Sequence, residues 1–294
     1  MPLQGKVIGM LAQQIVNGIT IGSIYALIAL GLTIVYGVLK ILHIAHAGVY
    51  AMGAYLGLWA YRFIPNLFLA MIVAMALSGV SGIVIERFLY KSMLDKSRIV
   101  PLIASIGLFI AMEEAFRIIS GPYVKAFPVH FRQKPWIFGS VRISAPQMLV
   151  FGVTIALLVL LWWVISKTRM GKALRAVSMD REMADALGVA TERIISLSFF
   201  ISSALAGAAG VLVGVFYNSV YPTMGDIPAY KALAIIVLGG MGSIPGTILG
   251  AFLVGISETF LIGFVNIPLP RDALAFIVMI AVLMFRPYGL LGKE

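Results

Sequence analysis

Few side chains in this sequence are equipped for chemistry, and most of them lie among long apolar runs. Glu258 sits within Gly255-Ile-Ser-Glu-Thr-Phe260, away from the ends of its run. An acid at that depth is a functional candidate by default, as part of an ion, proton or solute pathway. A face against a second membrane subunit is an equal reading. Glu113 and Glu114 precede Arg117 at helical spacing, the arrangement of a local ion pair. His43 and His46 are three apart, but three histidines and no cysteine make a poor ligand set for a metal. Ser243 is followed by Ile244-Pro245, which is not a nucleophile turn. No Gly-x-x-x-x-Gly-Lys-Ser/Thr segment occurs, so the chain has no phosphate loop for hydrolysing ATP. Neither catalysis nor a cofactor in this chain is expected.

The remaining chemistry is concentrated in one water-seeking segment, 167–193. It carries Arg169, Lys172, Arg175, Arg181 and Arg193, with Asp180, Glu182, Asp185 and Glu192 among them. Ser178 or Asp180 can cap a helix start, and Gly188 suits the residue after its end. Between them Met179, Met183 and Leu187 recur at i, i+4 and i+8, beside Ala176 and Ala184, as a narrow apolar stripe. A helix of two to three turns is not stable alone in water, so something must cover it. Lipid head groups are one cover. The near-balance of carboxylates and bases favours the groove of a soluble partner.

The elements that hold these groups are membrane helices. Of 294 residues 61% are hydrophobic and only 12% charged, against about a quarter charged in soluble domains. The apolar runs are long and continuous, without the alternation of a membrane barrel. Spans are expected at 11–37, 46–62, 66–86, 99–118, 146–166, 194–217, 230–243, 246–264 and 270–285. The fold class is therefore an all-α polytopic membrane protein, with about 8–9 transmembrane or broken helices and a single membrane domain over 1–294. No cleavable signal segment is expected.

Orientation follows the positive residues. Arg87, Lys91, Lys96 and Arg98, the six bases of 167–193, and Arg286 and Lys293 fall on one side. Arg62, Arg117, Lys125, Arg132, Lys134, Arg142, Lys231 and Arg271 fall on the other. The first set is larger and sits in short loops, so 167–193 is read as cytoplasmic and 119–145 as the main periplasmic loop. The net charge of +10 is thus a matter of membrane orientation, and a nucleic-acid partner is not expected.

Two places break the apolar pattern. Gly37, Lys40, His43 and His46 interrupt the first long stretch, and Gly239-Gly-Met-Gly-Ser-Ile-Pro-Gly246 splits the 230–264 stretch. Gly239, Gly240, Gly242, Pro245 and Gly246 disfavour a continuous helix, which suggests a hinge or a pathway wall. Close packing through small residues is the other reading, and the two are compatible. Residues 29–57 also echo 232–255 as apolar run, break and Gly-rich helix, a pattern that in transporters points to a midplane site. Ser202, Ser203, Tyr217 and Asn218 are further pathway candidates.

Many of these residues carry a resemblance. The chain resembles the permease subunits of ABC importers of the branched-chain amino acid type. The likeness is carried by Asn17-Gly-Ile-Thr-Ile-Gly-Ser-Ile-Tyr-Ala-Leu-Ile-Ala-Leu-Gly31, Val35-Tyr-Gly37, Ala45-His46 and Gly53-Ala-Tyr55. It continues through Glu86-Arg87, Ile103-Ala-Ser-Ile-Gly107, Arg169-Met-Gly-Lys-Ala-Leu-Arg-Ala176, Asp180, Met183-Ala184, Leu187-Gly188 and Val237-Leu-Gly-Gly-Met-Gly-Ser-Ile-Pro-Gly246. One departure stands at the 43–48 segment. Family members often have Asn before the histidine and Gly with an acidic residue after it, where this chain has His43, Ala47 and Gly48.

The resemblance implies an inner-membrane, multi-pass subunit. Its partners would be a second related permease in a heterodimer, two cytoplasmic ATPases that bind ATP and Mg, and a periplasmic substrate-binding protein. It implies that Arg175, Met179, Asp180, Met183, Ala184, Leu187 and Gly188 form a coupling helix seated in the ATPase. The expected pathway or hinge residues are Gly37, His46, Gly239, Gly240, Gly242, Ser243, Pro245, Gly246 and Glu258. The implied cargo is a branched-chain or similar hydrophobic amino acid. Amides, urea and aromatic acids are alternatives within such a family. An ion-gradient-driven transporter using Glu258 and a non-transporting membrane scaffold are the rival readings.

Overall fold

The computed structural model describes residues 2–93, 96–131, 134–264 and 271–292. Arg132 and Lys293, counted above for orientation, lie outside the described residues. The chain folds as α1 (Pro2–Leu39), α2 (His46–Phe63), α3 (Leu67–Ile85), α4 (Ile99–Ser120), a hairpin of β1 (Trp136–Phe138) and β2 (Val141–Ile143), then α5 (Ala145–Lys167). It continues with α6 (Arg169–Met179), α7 (Arg181–Ala186), α8 (Thr191–Phe216), α9 (Asp226–Gly239), α10 (Ile244–Phe264) and α11 (Arg271–Phe285). A π-helical turn, Glu86–Tyr90, extends α3.

Each expected span is a helix. Six of the described segments, Ile8–Leu39, Leu67–Met93, Ile99–Ser120, Ala145–Lys167, Thr191–Phe216 and Ile244–Phe264, are long and apolar enough to cross a membrane. The others are shorter: α9 has 14 residues, which at about 1.5 Å per residue falls short of a ~30 Å hydrocarbon layer.

Helix starts follow their caps. Asn66 accepts from the amides of Phe68 and Leu69 to open α3. Ser144 and Gln147 form a reciprocal capping box at α5. α1 and α8 form the buried centre, whereas α4 and α5 show Ile103, Ile110, Leu160, Trp162 and Trp163 on the outside. Apolar residues on the outer face of such a bundle face lipid. Helices approach closely through small residues: a Cβ at Gly22 would meet the Phe252 backbone at 2.9 Å, and one at Gly207 would meet Ser78.

The ends of the bundle sort as the charges predict. Lys91 pairs with Glu192 at 3.0 Å and Ser196 donates to Glu86 at 2.7 Å, joining the 86–93 and 191–196 segments on one side. The tail joins them there, with the amides of Leu290 and Leu291 donating to Leu238 and Gly239. On the opposite side Lys125 and Val220 exchange backbone hydrogen bonds, and Gln13 bonds both backbone groups of Arg142. The beginning of α1 therefore lies on the side of the hairpin, opposite the 167–193 segment.

Two helices begin within the bundle. After α1 the chain turns back through 40–45, and His46 at the head of α2 packs on Gly31 and bonds the Ile28 carbonyl, several turns above the end of α1. After α8 it turns back through 217–225 from the other side, and Gly225 at the head of α9 packs on the Ala47 carbonyl. The heads of α2 and α9 thus meet at mid-depth, and the two helices leave in opposite directions. This differs from the sequence echo of 29–57 with 232–255. The 239–246 break is a turn at the inner end of the bundle, between α9 and α10, and not an interruption at mid-depth.

Candidate functional site

The inward turn of α1–α2 and the α9–α10 turn meet beneath the bundle. Gly240 and Gly242 have φ of +102° and +86°, a region that admits glycine without strain. Pro245 occupies the first turn of α10, where its missing amide is not needed. Gly239 lies directly on Gly246. A Cβ at Gly242 would come within 3.8 Å of Gly37. Tyr36, Gly37, Lys40, Ser178, Met241, Gly242, Ser243, Tyr288 and Leu291 are among the residues that line an inner cavity of about 580 Å³. Buried Thr33 and Thr247 join α1 to α10 by a 2.8 Å hydrogen bond.

An outer cavity of about 400 Å³ lies toward the 217–221 segment. Its walls are Ile21, Ile24, Tyr25 and Ile28 of α1, Tyr50 of α2, Ile227, Pro228 and Lys231 of α9, and Glu258 and Ile262 of α10, with Tyr217 and Tyr221 near its mouth. A separate small void of about 10 Å³ lies among Ile28, Leu32, His46, Ala47, Pro228 and Ala232. It sits where the heads of α2 and α9 meet.

The histidines fix this junction. His43 Nδ1 lies 2.6 Å from the Tyr90 hydroxyl, and His46 Nε2 lies 3.1 Å from the Ile28 carbonyl oxygen. Both rings are buried. Ser202 donates to the Gly31 carbonyl at 2.6 Å, Ser203 is buried against Gly82, and Asn218 accepts from the Phe127 amide at 2.9 Å. Of these four polar candidates only Tyr217 reaches the outer cavity.

Glu258 is buried and ion-paired: its Oε1 is 2.8 Å from Lys231 Nζ, and both side chains are almost wholly enclosed. Tyr25 closes a triangle, accepting from Lys231 at 2.7 Å and donating to Glu258 Oε2 at 2.9 Å. By sequence Lys231 counts with the outer side, at the very head of the expected 230–243 span. It is instead the interior partner of Glu258, because α9 begins four residues earlier and carries Lys231 more than a turn into the helix. A lone lysine at the head of a run as apolar as Ala232–Leu238 was the available signal, since a buried cation requires a partner. Arg117 pairs with Glu114 at 2.8 Å as its spacing predicts. Glu113 is turned from that pair, and its carboxyl meets that of Asp226 at the start of α9.

The charged segment folds as two helices rather than one. Met179 ends α6, and Asp180, at φ −153° and ψ 114°, caps α7 by accepting from the Met183 amide at 2.9 Å. The aspartate satisfies the new helix's amides better than a continued α6 could, so the stripe bends at this residue. Gly188 has φ +82° and ends the turn. α6 lies on the bundle by Gly171, Leu174 and Val177. Ala184 faces inward at 3% exposure, whereas Met179, Met183 and Leu187 are 83%, 58% and 78% exposed. Arg175 donates to the Ile165 carbonyl and Thr191 to Asp185, which ties the segment to α5 and α8.

The profile of the family described as branched-chain amino acid transport system / permease component matches residues 14–283. The chain belongs to this permease family. The high-affinity branched-chain amino acid transport system permease protein BraD of Pseudomonas aeruginosa is 38% identical over 96% of this chain and 95% of its own length. The corresponding LivH of Escherichia coli K12 is 34% identical over the same shares. The probable branched-chain amino acid transport permease protein LivH of Methanocaldococcus jannaschii is 26% identical over 95% of this chain and 91% of its own length. The permease is thus a multi-pass membrane protein of a transport system.

Proposed function

We propose that this permease is the membrane subunit of an ATP-driven importer, moving branched-chain or similar hydrophobic amino acids across the inner membrane by alternating access. The whole chain acts as one permease domain. It pairs with a second, related permease, receives cargo from a periplasmic binding protein, and docks two cytoplasmic ATPases that bind ATP and Mg.

The observation that carries the coupling is the apolar turn of Met179, Met183 and Leu187, exposed to water on a segment otherwise charged. Three large apolar side chains held outward on a short, capped turn are suited to a groove in a soluble protein. Closure of an ATPase pair would displace α6 and α7. Their ties to α5 and α8 would pass the displacement to the heads of α2 and α9. Opening there on one side and then the other connects the outer cavity to the inner one. Backbone groups at the helix heads can meet polar parts of a solute, and the aliphatic walls suit an apolar side chain.

The test is uptake of radiolabelled leucine into proteoliposomes containing the full complex and the binding protein. Uptake requires enclosed ATP and is abolished by vanadate. Uptake that survives vanadate and collapses when ion gradients are dissipated identifies a secondary transporter instead. Absence of flux with every partner present supports the scaffold reading.

A further inference from the structure

We infer that the outer cavity contains a subsite for the backbone of a free amino acid, in which Lys231 takes the α-carboxylate and Glu258 the α-ammonium group. This rests on the import reading above and specifies which atoms would hold the cargo on its way through.

Lys231 and Glu258 are 4% and 3% exposed, lie 2.8 Å apart, and share the Tyr25 hydroxyl. A pair so far from water is a poor way to stabilise a helix interface, because desolvation offsets its Coulomb attraction and apolar residues of similar volume do as well. Its position is the second point. Both residues line a cavity of about 400 Å³, and the wall beside them is aliphatic: Ile21, Ile24, Ile227 and Ile262. A few fixed polar groups in an otherwise apolar hollow are the usual makeup of a small-molecule site.

The third point is charge matching. A zwitterion can enter between lysine and glutamate and leave each buried charge with an opposite partner. A ligand with one charge strands either the lysine or the glutamate, at the cost of an unpaired buried ion. Tyr25 can donate to a carboxylate or accept from an ammonium, so the triangle can open without losing its third corner. Beside this cavity the packed heads of α2 and α9 leave a void of only about 10 Å³ at His46, Ala47 and Pro228, too small to hold an amino acid.

The experiment measures thermal unfolding of the assembled permease pair with its ATPases, without the binding protein. The probes are L-leucine, 4-methylpentanoate (carboxylate only) and 3-methylbutylamine (ammonium only) at equal concentrations. Leucine raises the midpoint and neither analogue does so. Equal stabilisation by either analogue, or none by leucine, overturns the subsite. In the Lys231→Met/Glu258→Met double variant the leucine shift disappears, and leucine uptake per assembled complex falls roughly tenfold or more, the size of one charge-assisted hydrogen bond. A persisting shift, or wild-type uptake, overturns it. If the double variant does not assemble, the analogue series on the unmodified complex still decides. Failure of the import reading is separate: it shows as absence of ATP-dependent leucine uptake by the unmodified complex.

Discussion

Replacing Leu187 by Asp should detach the ATPases while leaving the permease folded. Leu187 is 78% exposed and Met183 58% exposed, so neither contributes much to the permease's own stability. Surface changes of this kind stay within about 0.5 kcal/mol. If both side chains enter a groove, most of the ~1.5–3 kcal/mol available from burying a large apolar side chain is gained only on docking. Leu187→Asp removes that gain at one position and adds the cost of burying an unpaired carboxylate, ~2 kcal/mol or more. Their sum, about 3–5 kcal/mol, weakens association by roughly 10²- to 10⁴-fold. The assay is copurification of ATPase with tagged permease, alongside the permease's elution profile and thermal midpoint. Met183→Asp should behave alike. Ala184→Asp should differ in kind, because Ala184 is 3% exposed and the change unsettles the permease itself. Normal ATPase recovery with folded Leu187→Asp refutes the docking argument.

Other outcomes follow from the same geometry. Lys231→Met strands the Glu258 carboxylate and should lower stability by about 3–5 kcal/mol, whereas the Lys231→Met/Glu258→Met pair should lose much less; equal losses in thermal unfolding would falsify the ion-pair account. Asp180→Ala removes the cap of α7 and should cost about 1 kcal/mol locally, seen as faster amide hydrogen exchange at Met183 with the bundle unchanged. His43→Ala leaves the buried Tyr90 hydroxyl without its 2.6 Å partner and should destabilise by about 1–3 kcal/mol plus the cavity; an unchanged melting temperature argues against it. Gly240→Val, at φ +102°, should cost at least ~1 kcal/mol of backbone strain and reduce folded yield.

Much of the architecture was legible in the chain because hydrocarbon imposes a simple rule. Every run of apolar residues long enough to matter became a helix, since a backbone in lipid must satisfy its own hydrogen bonds. The sides of the loops were legible too, as the Lys91–Glu192 and Gln13–Arg142 contacts agree with the distribution of basic residues. So was the exposure of Met179, Met183 and Leu187, because an apolar stripe in a charged segment either docks or is covered.

What the sequence could not decide depends on residues distant along the chain. The bend at Asp180 arises when two helix ends compete for one side chain, and a periodic stripe runs through such a bend unchanged. The partnership of Lys231 with Glu258 joins α9 to α10 through the interior and brings in Tyr25 from α1, so no local spacing announces it. The meeting of α2 and α9 at mid-depth needs two return segments from opposite faces, each set by packing on a glycine or a carbonyl of another helix. Sequence alone thus determined that the chain lies in a membrane, which loops share an end of the bundle, and which family it resembles, because those follow from composition, loop charge and motif. Only the tertiary structure decided where the heads of α2 and α9 meet and which charges face the outer cavity, because those depend on which helices touch.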